Sequence, residues 1–103
     1  VYALYFNCKD RLLRCEKIHS GPMSVALLLP REIAESGISL QASYFVLAHN
    51  HPDGETKPSK SDLETTRMLR SVFSKLQMPL AEHFVYAEGH CYPMIRHAGE
   101  KEK

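Results

Sequence analysis

Two histidines one residue apart, His49 and His51, and an aspartate eleven residues further on, Asp62, are the side chains of this 103-residue chain best suited to hold a metal ion. The histidines end the apolar run Tyr44-Phe45-Val46-Leu47-Ala48, which reads as a central strand covered on both faces. If strand geometry continues past Ala48, residues i and i+2 project to the same side, and both imidazoles can meet one ion. A His-x-His pair by itself is a weak signal. Asp62 strengthens it, because it opens a helix expected over residues 59–76. There Asp62, Thr66, Leu69, Phe73 and Leu76 recur at the spacing of a single helical stripe. Lys60, Glu64, Arg67, Ser71 and Lys75 fall on the other side, so Asp62 is expected to face the core. A buried carboxylate costs several kcal/mol unless a positive charge answers it. No Lys or Arg shares the stripe, whereas a cation between two imidazoles would serve. Two imidazoles and one carboxylate also leave a fourth tetrahedral position for water, the arrangement of a catalytic zinc site.

A plainer reading stands beside this one. Ser59-x-x-Asp62 ahead of an apolar run is also a helix capping box. Ser61 with Glu64 offers a second box, so the helix is not expected to need Asp62 as a cap. On spacing alone, ligand and cap are both open. Asn50, between the histidines, should point to the opposite side and tie down the loop. Cys91, His83, His90 and His97 are expected to be structural or solvent-facing, with a second site among them possible in principle.

The elements that must position these residues follow from pattern. Residues 1–8 are rich in β-branched and aromatic types and read as a strand, followed by a turn at Lys9-Asp10 and a second strand over 12–19. Ser20-Gly21-Pro22 breaks the chain. A short apolar run over 25–29 is expected to be extended, and Pro30 to start a helix to about Leu40, weakened by Gly37. Residues 50–58 form a loop dense in Pro, Gly and polar residues. After the second helix, 84–87 and 91–95 form a closing hairpin turned by Glu88-Gly89, and the tail from Arg96 onwards frays. With no internal repeat, linker or low-complexity segment, the expectation is one α/β or α+β domain over 1–103 with a mixed sheet.

Composition narrows the classes. Hydrophobic residues at 44% supply an ordinary core, and charged residues at 24% an ordinary solvated surface. A net charge of +1 with Lys and Arg scattered among Asp and Glu gives nucleic-acid binding no support. Cys8, Cys15 and Cys91 are odd in number and form no CxxC pair, which fits a reducing compartment such as the cytoplasm. No apolar run approaches a membrane span, and the first residues do not resemble a secretory leader. The missing initiator Met is compatible with a piece of something longer.

His49-x-His51, then Ser59 and Asp62 at this spacing, is similar to the JAMM signature of the JAB/MPN metalloprotease fold. Pro30-Arg31-Glu32, Leu47 to Pro52 with Gly54, and Pro58-Ser59 resemble the RadC family more specifically, and the similarity runs from the opening hairpin to the closing one. The resemblance implies a cytidine-deaminase-like fold, a mixed sheet flanked by helices. It further implies one zinc ion on His49, His51 and Asp62, and a catalytic glutamate on the second strand, a place held here by Glu16. Read by itself, Glu16 would pass for an exposed strand glutamate. By the same resemblance Glu16 takes the proton of the attacking water and returns it to the leaving amine, while Ser59 donates to the developing oxyanion. The implied activity is hydrolysis of peptide or isopeptide bonds in a peptide or protein substrate. Ubiquitin is not singled out, because the chain is too compact for the insertions of ubiquitin-directed members. Three positions depart from the family pattern: Asp53 where a small hydroxyl residue is usual, Pro22 where Thr is common, and Pro93 where Ser is frequent. Asp53 and Pro22 would border the cleft and bear on substrate preference. The RadC name also admits a DNA-associated role in repair or processing, and a metal-free interaction module is a third alternative, disfavoured by the intact set of Glu16, His49, His51, Ser59 and Asp62.

Overall fold

In the computed structural model, residues 1–18, 28–51 and 57–96 are described. The break at Ser20-Gly21-Pro22, the 25–27 part of the apolar run, the loop residues Pro52, Asp53 and Gly54, and His97 with the tail beyond it lie outside the described residues. The elements are β1 (Tyr2–Phe6), β2 (Leu12–Lys17), α1 (Leu28–Leu40), β3 (Tyr44–Asn50), α2 (Lys60–Lys75), β4 (Leu80–Ala87) and β5 (His90–Pro93). They form one five-stranded mixed sheet in the order β2-β1-β3-β4-β5. Only β3 and β4 pair in parallel; the other neighbours are antiparallel. No described helix is long and apolar enough to cross a membrane.

Topology decides where the helices go. β2 and β3, on either side of β1, run in the same direction, as do the adjacent strands β3 and β4, and both steps move the same way across the sheet. A right-handed crossover at each step puts α1 and α2 on one face. The packing agrees: Ile33 of α1 and Leu69 and Phe73 of α2 join Ala3, Tyr5, Phe45 and Leu47 in one buried cluster. Phe45 meets Phe73 edge-on, with ring centroids 4.9 Å apart. A side chain at Gly37 would collide with Met78, so glycine lets α1 lie close to the segment after α2. The expected burial of β3 on both faces is therefore half right. Phe45 and Leu47 are fully buried, whereas Tyr44, Val46 and Ala48, facing away from both helices, are only half-buried.

Several boundaries move for identifiable reasons. Residues 28 and 29, expected to be extended, already belong to α1. Pro30 is tolerated as its third residue, because first-turn N–H groups have no intrahelical acceptor to lose. β4 starts at Leu80, four residues before the expected Phe84, because Glu82 and His83 interrupt the apolar run while the backbone stays in the sheet. β5 ends at Pro93, and residues 94–96 turn helical instead of extending the strand. The Glu88-Gly89 turn is as expected, with φ of 49° and 82° at its two residues. Such positive values at both positions are what a tight two-residue hairpin requires. Leu76 leaves the buried stripe: it is the C-cap of α2 and 49% exposed.

Candidate metal centre

The site is built at the carboxyl ends of β3 and β4, where ligands gather in sheets with parallel crossovers. His49 pairs with Val85 across the β3–β4 ladder, on the face that carries the helices. His51 lies one residue past β3, yet its N–H donates to the Tyr86 carbonyl at 3.1 Å. The ladder thus continues far enough to turn both imidazoles the same way. Asn50 falls on the opposite face, exposed, as expected. α2 then begins with Ser59 as its N-cap and brings Asp62 over the strand ends.

The three side chains converge. His49 Nε2 lies 3.0 Å from His51 Nε2 and 3.4 Å from Asp62 Oδ1, and His51 Nε2 lies 3.0 Å from Asp62 Oδ2. Four-coordinate zinc with bonds near 2.0–2.1 Å separates adjacent donors by about 3.3 Å, so this spacing suits one shared ion. The group is partly enclosed, with side-chain exposures of 9% for His49, 18% for His51 and 8% for Asp62. Two imidazole nitrogens with one carboxylate are a donor set that suits a first-row divalent metal ion, zinc among them.

The electrostatics favour the protonation states that binding requires. Burial pushes the His49 imidazole below its ordinary pKa, against the pull of the Asp62 carboxylate, so the ring is neutral at pH 7. For Asp62, burial raises the pKa. Hydrogen bonds from Ser59 and the neighbouring histidines together outweigh that effect and hold the carboxyl below its ordinary value. A neutral imidazole and an ionised carboxylate are ligand-ready.

Asp62 proves to be both ligand candidate and cap. Ser59 N–H donates to Asp62 Oδ2 at 2.8 Å, and Asp62 N–H donates to Ser59 Oγ at 3.0 Å, a complete capping box. The expectation that Ser61 and Glu64 could relieve Asp62 of capping is corrected: the helix starts at Lys60, which puts Asp62 and not Glu64 at the third position. Each of its two oxygens faces a histidine, so one carboxylate serves both purposes. Ser59 Oγ, accepting from Asp62, keeps its own proton to donate elsewhere.

Glu16 sits on β2 and pairs with Ala3, which in turn pairs with Leu47. It therefore shares the helix-bearing face with His49, two strands over and two residues back, about 12 Å away between Cα atoms by ordinary sheet spacings. Its Oε1 accepts from Ser36 Oγ of α1 at 2.7 Å, and Arg14 Nη1 lies 3.5 Å from Oε2. The carboxylate stands apart from the cluster, which among the described residues consists of His49, His51 and Asp62.

One residue was undervalued in the sequence. His83, read as structural or solvent-facing, is fully buried directly behind His49. Its Nε2 lies 2.8 Å from His49 Nδ1, and its Nδ1 lies 2.7 Å from Thr66 Oγ1. Burial, and next the proximity of His49, drives its pKa down to about 3. A signal existed: His83, Val85 and Ala87 alternate onto the inner face of β4, and a polar residue there needs a partner. Thr66, on the inner stripe of α2, is that partner. His90 and Cys91 are exposed, as are Cys8 and Cys15, and all three cysteines are free.

The family model for the RadC-like JAB domain matches residues 1–100. Among curated relatives, UPF0758 proteins are similar over most of the chain. The one from Ralstonia pickettii is 35% identical over 98 residues, covering 94% of this chain and 44% of its own length. The one from Paraburkholderia xenovorans is 34% identical over 94 residues, or 91% and 37%. That of Chlorobium phaeovibrioides is 32% identical over 85 residues, or 82% and 38%. The chain thus spans roughly two-fifths of the length of these relatives.

Proposed function

Because the chain belongs to the RadC-like JAB domain family, we propose that it is a zinc-dependent hydrolase of amide bonds, acting on peptide or isopeptide linkages. The observation that carries this reading is the convergence of His49 Nε2, His51 Nε2 and the Asp62 carboxylate within 4.8 Å of one another. These three side chains would hold the ion. When bound, zinc supplies a lowered pKa for a coordinated water and a positive charge that polarises a carbonyl.

The remaining roles fall to the protein. Glu16, on the same face as the histidines but outside their cluster, takes the proton of the attacking water as its oxygen bonds to the scissile carbon. The same carboxyl returns that proton to the leaving nitrogen as the carbon–nitrogen bond breaks. Ser36 holds one Glu16 oxygen by a 2.7 Å hydrogen bond, and Arg14 lies 3.5 Å from the other, so the carboxylate is oriented from both sides. Ser59 donates its free hydroxyl proton to the developing oxyanion, its orientation fixed by the Asp62 N–H it accepts.

Metal analysis of the purified protein, alongside Glu16→Gln and a library of peptide and isopeptide substrates, tests the reading. About one zinc per chain is expected in both proteins, with cleavage confined to the wild type. A protein without stoichiometric metal, or a Glu16→Gln variant that cleaves normally, would contradict it.

A further inference from the structure

We propose that His83 is a positioning residue that fixes which nitrogen of His49 carries the proton, and so aims the His49 lone pair into the metal cluster; this rests on the reading of that cluster as a metal site. The argument is one of hydrogen-bond bookkeeping along a buried chain. Thr66 Oγ1 is 2.8 Å from the Asp62 carbonyl oxygen and 2.7 Å from His83 Nδ1. A threonine hydroxyl has one proton and a carbonyl has none to give. Two oxygens 2.8 Å apart with no proton between them would set lone pair against lone pair, so the Thr66 proton lies on the carbonyl contact. His83 Nδ1 must then be the donor to Thr66 Oγ1. With its proton on Nδ1, a neutral His83 has only a lone pair on Nε2, and this accepts from His49 Nδ1 at 2.8 Å. His49 is thereby the Nδ1–H tautomer. Its Nε2, which faces His51 and Asp62, is left with the lone pair that a ligand needs.

The opposite chain is internally consistent but worse. If Thr66 donated to His83, then His83 Nε2–H would donate to His49, and His49 would carry its proton on Nε2. That proton would occupy the centre of the cluster, and the close approach of Thr66 Oγ1 to the carbonyl would go unexplained. The Asp62 backbone oxygen therefore biases the whole chain. One residue supplies a ligand through its side chain and, through its carbonyl, sets the tautomer of a second ligand across two intervening side chains.

The first test needs neither metal nor substrate. Long-range proton–nitrogen correlation spectra of the metal-free protein at neutral pH should show a protonated Nδ1 and an unprotonated Nε2 for both His83 and His49. Protonated Nε2 on both rings would overturn the proposal. The second test uses zinc ion alone as the probe. His83→Leu should weaken zinc binding by roughly 10–100-fold. His83→Gln, whose amide oxygen can accept the His49 proton, should recover most of it, and Thr66→Val should weaken binding in the same direction. Binding unchanged in His83→Leu and Thr66→Val would refute the positioning role while leaving the metal site intact. Failure of the wild type to bind zinc would instead remove the proposed function, with the tautomer spectra still deciding the hydrogen-bond chain. Should His83→Leu not fold, Thr66→Val and the spectra carry the decision.

Discussion

Replacing Asp62 by Ala and by Asn separates the two duties of its carboxylate. In the metal-free protein, Asp62→Ala removes the acceptor for Ser59 N–H, a 2.8 Å bond donated to a side chain only 8% exposed. Loss of a helix cap costs about 0.5–2 kcal/mol, and a charge-assisted bond belongs in the upper part of that range. With about 1–2 kcal/mol lost, a domain of this size should melt roughly 4–16 °C lower. Asp62→Asn keeps an oxygen acceptor without the charge and should lose about half as much, since a neutral hydrogen bond is roughly half as strong. Zinc changes the ranking. At a hundred times its Kd, an ion bound only to the native state stabilises it by about 2.7 kcal/mol, and that gain should appear in the wild type and be largely lost in both variants. Thermal melts with chelator and with zinc read all six values. An Asn variant that gains as much from zinc as the wild type would refute the ligand assignment. An Ala variant as stable as the wild type in chelator would refute the cap.

Three further outcomes are expected. Because the Asp62 carboxyl is held below its ordinary pKa in the fold, its stabilisation is complete above the unfolded value of about 4 and lost as pH falls through the lower folded value. Urea titrations of metal-free protein from pH 5 downwards should show this acid sensitivity, and Asp62→Ala should show less of it. Tyr5 is fully buried, its hydroxyl without a hydrogen-bond partner among the described residues, and burial pushes its pKa up to about 12. The sign is opposite: stability is intact below about pH 10 and falls as pH rises towards 12. Tyr5→Phe should move alkaline unfolding to higher pH and raise neutral stability by about 1 kcal/mol; unfolding at an unchanged pH would count against this. Finally, with a net charge of +1, this chain should bind duplex or single-stranded DNA no more tightly than about 10⁻⁴ M at physiological salt. Tighter, steeply salt-dependent binding in a fluorescence titration would favour the DNA-associated alternative.

Much of the site was legible because it is written in local periodicities. A strand repeat of two puts His49 and His51 on one side, and a helical stripe turns Asp62 inward with Thr66, Leu69 and Phe73. Both patterns survive folding because each depends on residues close in sequence. Glu16 was legible only through the family resemblance; nothing in its own neighbourhood distinguishes it from an exposed strand carboxylate.

The sequence by itself determined the strand and helix that carry the three ligand candidates, the mixed sheet, and the two-residue turn at Glu88-Gly89. Folding alone decided the rest. Two crossovers of the same hand placed both helices on one face, which leaves Tyr44, Val46 and Ala48 half-buried. The first residue of α2 made Asp62 and not Glu64 the capping partner of the N-cap. The pairing of β3 with β4 slid His83 behind His49, where Thr66 of α2 meets it. Such contacts join residues far apart in the chain, and only the register between strands and the seating of a helix on them fix which side chains come within hydrogen-bonding distance.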